Sequence, residues 1–390
     1  MQATLMNSTE YLGIPEAELA AAGALCTARE IAQQPRMLQR THALVADLHA
    51  RIAAFVGPLA SDPRARVILT GAGTSAYIGQ CLAPLLDRQL AARVDAVATT
   101  DLVSSPHLYL DAEQPLLLVS FGRSGNSPES LAAVQLAESR VRQVRHLVVT
   151  CNAAGALNRT GAREALTLLL PEETHDESFA MTSSFTCMMF ATLQALSPAG
   201  ALDARIGPLA AAMQAVIAQR LDALKALALG GCERVVYLGS GLLQGLAREA
   251  TLKLGELTNG AVATCFDSPL GFRHGPKTFV TPRTAVLVFV SNDPLTRQYD
   301  RDLIEELRRD GVAAHVVEIT AQPQGSDADN LAVPGLADAQ DVDLLFPYAA
   351  VAQIFAFHAS LAAGITPDNP NKAGTVNRVV QGVRIHALAS

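Results

Sequence analysis

From Ser120 to Ser130 the chain reads Ser-Phe-Gly-Arg-Ser-Gly-Asn-Ser-Pro-Glu-Ser, directly after an apolar run, Leu116 to Ser120, that suits a β-strand. Gly122 and Gly125 let the backbone turn its N–H groups inward, and Ser124 and Ser127 add hydroxyl donors. A helix opening at Pro128 would aim its positive end at the same point, with Arg123 beside it. A phosphate ester is the expected occupant. The same residues also suit a plain strand-to-helix turn in which Ser127 caps the helix and Pro128 takes its first position. This segment alone leaves both readings open.

Groups able to move protons lie elsewhere. Glu256 follows Lys253 by three residues, so a helix sets both on one face, where a nearby ammonium can hold the carboxylate at a pKa useful to a general base. A solvated surface pair has the same spacing. His274 stands between Arg273 and Gly275-Pro276, in a turn rather than on an apolar face, and an imidazole there can give and take protons near neutral pH. Thr74 and Ser75 end a Gly71-Ala72-Gly73 turn that follows another apolar run. Gly71 to Ala76 also satisfies a permissive dinucleotide fingerprint, with Asp95 downstream for a ribose. Against nicotinamide or flavin stand the two hydroxyls, placed where a pyrophosphate needs bare backbone, and the separate cradle after a later strand. Thr182-Ser183-Ser184 opens a further helix, with capping as its plain role. In His175-Asp176-Glu177 adjacent side chains point in different directions, which gives no metal site. Nothing in this chemistry calls for a metal or an organic cofactor.

These residues need a scaffold larger than one ordinary core: 390 residues favour two domains. With 49% hydrophobic and 17% charged residues the chain reads as globular, and a net charge of −7 argues against nucleic acid or an anionic membrane as partner. Six cysteines without a Cys-x-x-Cys pair read as buried thiols of a reducing cytoplasm, and Met1 to Thr4 lack the start of a signal peptide. Leu344 to Pro367 carries no acidic or basic residue, yet Pro347, Gln353, His358 and Gly364 suit a buried helix better than a bilayer span.

Residues 1–60 read as a helical segment with a helix start at Ile14-Pro15-Glu16. Strand-like runs at 66–69, 94–98, 116–120, 146–150 and 166–170 then alternate with helical stretches, the pattern of a parallel sheet flanked by helices. The pattern restarts at 235–238, 261–265, 285–290 and 314–319. Val67 to Gly73 and Val235 to Gly241 are both strand followed by Gly-x-Gly, an internal repeat. The expected organisation is an N-terminal segment 1–60, an α/β domain 61–205, a linking helix 206–230 and a second α/β domain 231–390.

Four segments then resemble the SIS (sugar isomerase) family, whose members bind phosphosugars. They are the Ser120 to Ser130 loop, Glu30-Ile31-Ala32-Gln33-Gln34-Pro35, the helix Glu249 to Glu256, and Phe272-Arg273-His274-Gly275-Pro276. The last three are similar to elements of the isomerase half of glucosamine-6-phosphate synthase. Asp267 to Lys277 and Val376 to Val383, with the serine-rich loop, are closest to the family's galactosamine-6-phosphate deaminase/isomerases. The resemblance implies two SIS domains and conversion of galactosamine 6-phosphate and water to tagatose 6-phosphate and ammonium. It implies His274 for ring opening, Glu256 for proton transfer between C1 and C2 with Lys253 beside it, and Thr74, Ser75, Arg123, Ser124, Ser127 and Ser183 for phosphate and sugar. A homodimer with shared sites is implied as well, because the synthase's matching histidine reaches into the neighbouring subunit. The synthase's C-terminal lysine falls at Thr375, with Lys372 nearby but off register. Substrates kept open are glucosamine 6-phosphate and a nitrogen-free aldose or ketose phosphate. A phosphosugar-sensing module is the non-enzymatic alternative.

Overall fold

The computed structural model describes residues 9–323, 330–380 and 382–386; the reading of Met1 to Thr4 and position 381 of the C-terminal motif lie outside them. Two five-stranded parallel sheets dominate. The first is built from Arg66–Thr70, Arg93–Ala96, Leu116–Gly122, Val144–Thr150 and Ala165–Leu169. Arg234–Gly239, Ala263–Asp267, Thr284–Phe289, His315–Thr320 and Asn330–Ala332 form the second. In each, the first strand of the unit lies between the second and the third, with the fourth and fifth following outward. Chain direction across the sheet therefore reverses between the first and third strands of both units, which opens a crevice at their carboxyl ends.

Side-chain alternation explains how each sheet is covered. Val67, Leu69, Leu117, Val119 and Phe121 join the main core, whereas Ile68, Leu116 and Leu118 face a separate cluster with Ala133, Val134 and Ala137 of the helix Pro128–Arg140. The second unit repeats this, with Val236, Leu238, Val286 and Val288 against Leu303, Ile304 and Leu307 of the helix Pro294–Asp310. The inner faces share one core, completed by the helices Gln34–Ala60, Ser183–Ala195 and Asp341–Ala362. The last of these carries most of the stretch that begins at Leu344 and lacks Asp, Glu, Lys and Arg. It is apolar and long enough to cross a membrane, and it is almost wholly buried inside the protein. Gln34–Ala60 also passes that test of length and composition, with one apolar stripe buried.

Several elements differ from the sequence reading. The linking stretch is two helices, Asp203–Gln219 and Leu221–Leu229, divided at Arg220, whose Nε donates to the Ala332 carbonyl. The strand expected at 261–265 begins two residues later, because Thr258 to Val262 form the turn that ends the preceding helix. Asn330–Ala332 carries too short an apolar signal to stand out in the sequence.

Candidate active site

In the first unit the crevice between the strands Arg66–Thr70 and Leu116–Gly122 is a cavity of about 220 Å³. Gly71 and Gly73 shape one wall. A side chain at Gly71 would stand 2.5 Å from the Ser75 Cβ, and Gly73 holds φ at +56°, so the turn is tight enough to start the helix Thr74–Gln89 at the pocket edge. The opposite wall is Phe121 to Ser127. No side chain caps the helices Thr74–Gln89 or Pro128–Arg140, so both positive ends face the same space. Ser124 Oγ accepts from the Asn126 N–H at 3.2 Å, and Ser127 Oγ donates to Glu129 at 2.7 Å.

The second unit's crevice is built differently. Asp293 caps the helix Pro294–Asp310 by accepting from the N–H groups of Leu295 and Thr296. Asp300 accepts from Ser240 Oγ at 2.6 Å and from the Ser291 N–H at 3.0 Å, while Asp341 takes the Ser291 hydroxyl and the Asn292 N–H. Three carboxylates occupy donors of the kind that the first unit leaves open. The two repeats therefore differ at this crevice, although both open with the same Gly-x-Gly turn.

What the second unit contributes is the helix Leu242–Leu257. It crosses the helix Thr74–Gln89 closely, since a Cβ at Gly245 would lie 2.8 Å from the Cys81 backbone nitrogen. That approach carries Lys253 to the first unit. Lys253 is 1% exposed, and its Nζ donates to Glu256 at 2.8 Å and to Thr74 Oγ1 at 3.1 Å and stands 3.3 Å from Glu249. Burial opposes its charge, but Glu249 and Glu256 outweigh it and hold the amine above its usual range. Burial pushes Glu249 up to about 7 against the pull of Lys253, and its Oε2 has no partner. The Lys253/Glu256 pair is thus no surface decoration. Glu256 alone of the three reaches the cavity, its carboxylate a quarter exposed.

The remaining site residues divide. Thr74, Ser75, Arg123, Ser124, Ser127 and Glu256 line one cavity. Ser183 is fully buried instead, accepting from Gln33 and donating to Asp176, whose carboxylate also caps the helix through Thr182 and Ser184. Its hydroxyl serves the fold. His274 is exposed in the turn after the short helix Pro269–Phe272 and does not line the cavity of its own chain. Arg123 lines the wall, but its guanidinium donates to the carbonyls of Ser178, Phe179 and Arg378. Asp95, the ribose candidate, is held by Arg66 and Arg93 at 2.6 and 3.0 Å. The sequence reading missed Phe179, Met181 and Val376 to Val380 as lining residues. Only the C-terminal motif, quoted for its resemblance, gave a signal for them.

A pocket that pairs an amide-lined anion cradle with a lysine-held carboxylate is suited to moving a proton on a phosphorylated substrate. A profile described as SIS domain matches residues 61–198, which include the cradle. Over most of its length the chain is 47% identical to D-galactosamine-6-phosphate deaminase AgaS of Escherichia coli O157:H7, covering 94% of this chain and 97% of that one. The chain belongs to the AgaS family. A Shewanella AgaS protein is 45% identical, with 93% of this chain and 92% of the relative covered. A crystal structure named as tagatose-6-phosphate ketose/aldose isomerase from Escherichia coli matches with a TM-score of 0.85 and 43% identity, covering 95% and 98% of the two chains. Among the described residues of this AgaS-family chain, no group of three His, Cys, Asp or Glu side chains converges as a metal site.

Proposed function

We propose that the protein deaminates and isomerises D-galactosamine 6-phosphate, giving D-tagatose 6-phosphate and ammonium with consumption of water. The observation that carries this is Glu256 reaching, from the second unit, the cavity whose floor is the first unit's anion cradle. Phosphate sits among the backbone amides of 122–127 and the hydroxyls of Ser124, Ser127, Thr74 and Ser75, and the sugar extends toward Glu256.

Ring opening moves the anomeric proton to the ring oxygen and exposes an aldehyde at C1. Glu256 then removes the C2 proton while the C1 oxygen gains one, giving an enolamine. Return of a proton to C1 leaves an imine at C2, and water adds there and expels ammonia. C1 is reduced as C2 is oxidised, so no external redox partner is needed. Lys253 donates to Glu256 at 2.8 Å and orients its carboxylate for the first transfer. His274, exposed and outside its own chain's cavity, serves ring opening in a neighbouring copy, so a homodimer with shared sites is part of this reading. The six free thiols and a phosphorylated substrate suit a cytoplasmic enzyme.

The experiment is ammonia release from galactosamine 6-phosphate and glucosamine 6-phosphate, beside aldose/ketose interconversion of the nitrogen-free phosphates. Release from the galacto substrate at the highest kcat/KM is expected. Interconversion without ammonia release would favour the activity that names the Escherichia coli structure, and binding without turnover would indicate a sensing module.

A further inference from the structure

Arg123 leaves its strand at the foot of the phosphate cradle, yet its side chain turns to protein carbonyls. One terminal nitrogen donates to Ser178 and Phe179, both at 3.1 Å, and the other to Arg378 at 3.0 Å. Arg378 answers from the far side, its Nε donating to the Ser178 carbonyl at 3.2 Å and a terminal nitrogen to that of Asp176. Two guanidinium groups thus clasp the single turn 176–179. The turn is itself fixed from behind by Glu30, which accepts from the N–H groups of Glu177 and Ser178.

Arg378 belongs to the stretch Val376 to Val380 that walls the cavity. That stretch has no helix or strand. Among its described residues the contacts with Arg123 and the 176–179 turn are the hydrogen bonds that reach the body of the protein. If Arg123, 6% exposed, swung toward a phosphate it would leave the half-buried carbonyls of Phe179 and Arg378 without a donor and that of Ser178 with Arg378 alone. We infer that Arg123 is a positioning residue that fastens the C-terminal segment across the pocket through the Arg378 carbonyl, leaving the phosphate to backbone amides and hydroxyls. The inference rests on the proposed function for the identity of the occupant only.

Limited trypsin digestion of the full chain followed by intact mass measurement reads the clasp directly. Lys372 and Arg384 are exposed cleavage sites that serve as references, while Arg378 is half-buried and engaged. In Arg123→Ala, cleavage after Arg378 is expected to rise about tenfold or more relative to Lys372, matching loss of charge-assisted hydrogen bonds that hold a local opening. Inorganic phosphate, titrated calorimetrically, should keep its affinity within about threefold, and kcat for the phosphosugar should fall more than KM rises. Arg123→Lys should not restore protection, because an ammonium lacks the planar fork that spans the carbonyls. Loss of phosphate affinity with Arg378 still protected would make Arg123 a phosphate ligand and overturn the inference. Where Arg123→Ala fails to fold, Arg123→Lys, which keeps a cation at the same place, should show the same exposure of Arg378 and the same kcat loss with phosphate binding intact; Arg378 protected as in the unaltered chain would also overturn the inference. Digestion and phosphate titration use no amino sugar, so failure of the substrate reading shows separately, as absent ammonia release from the unaltered enzyme.

Discussion

Lys253 has 1% of its surface in solvent, and two carboxylates on its own helix keep it charged. Their division of labour follows from position: Glu249 is sealed in, and Glu256 meets the cavity. Glu256→Gln is expected to lower kcat by about 10²–10⁴-fold, the usual contribution of a general base, with inorganic phosphate binding retained. Turnover at the wild-type rate would remove Glu256 from the mechanism. A second buried acid controls stability instead. Burial first, then the charge of Asp176, pushes Glu30 up to about 8. A carboxyl raised in this way contributes stability that is fully present below its ordinary value of 4.5 and lost as pH rises through about 8. Protonated Glu30 can donate to Ser178 Oγ while that hydroxyl donates to the Ala180 carbonyl, and glutamine can do the same. The melting temperature of the wild type should therefore fall relative to Glu30→Gln between about pH 5 and pH 9. Parallel curves would show that Glu30 does not titrate in this window.

At the scale of elements, the decisive contact is the crossing of the helices Thr74–Gln89 and Leu242–Leu257. Gly245 is its narrowest point, because the atoms a new Cβ would meet are the Cys81 nitrogen at 2.8 Å and the Gln80 carbonyl carbon at 2.9 Å. Backbone of a packed helix cannot yield as a side-chain tip would. Gly245→Ala is expected to destabilise the protein by about 1–3 kcal/mol by chemical denaturation, as overpacking commonly does, despite alanine's better helix propensity. Because Lys253 reaches Thr74 across this crossing, kcat should fall in the fraction that remains folded. A stabilised, fully active variant would show that the helices separate freely. The strands and helices of this scaffold were legible from alternation and glycine punctuation, and Glu256 and the cradle were legible as chemistry. The burial of Lys253 was not, since an i,i+3 lysine–glutamate pair has the same spacing on a solvated surface.

For the whole molecule, two units of equal strand order have diverged in use. One keeps its helix ends uncapped at the cavity; the other fills its crevice with Asp293, Asp300 and Asp341 and sends the helix that carries Glu256 across the junction. His274 lies outside this arrangement within one chain. If a neighbouring copy supplies it, mixing the inactive variants Glu256→Gln and His274→Ala, with subunit exchange, should restore activity. About a quarter of the wild-type rate is expected from random pairing in a twofold dimer, since half the dimers are mixed and each has one intact site. No recovery in verified mixed dimers would place His274 in its own chain's chemistry or outside it altogether.

The sequence by itself determined the two parallel α/β units, the repeated Gly-x-Gly turns, the glycine- and serine-rich turn after the third strand and the lysine-paired glutamate, because each is a local pattern of spacing, backbone freedom or side-chain chemistry. Tertiary structure alone decided that the second crevice is closed by carboxylates, for Asp300 reaches Ser240 and Asp341 reaches Ser291 across long stretches of chain. It also decided that Ser183 supports a buried carboxylate and that Arg123 grips carbonyls, including one 255 residues away. Donors and acceptors can be counted along a chain, but which donor meets which acceptor is settled only when the chain is packed.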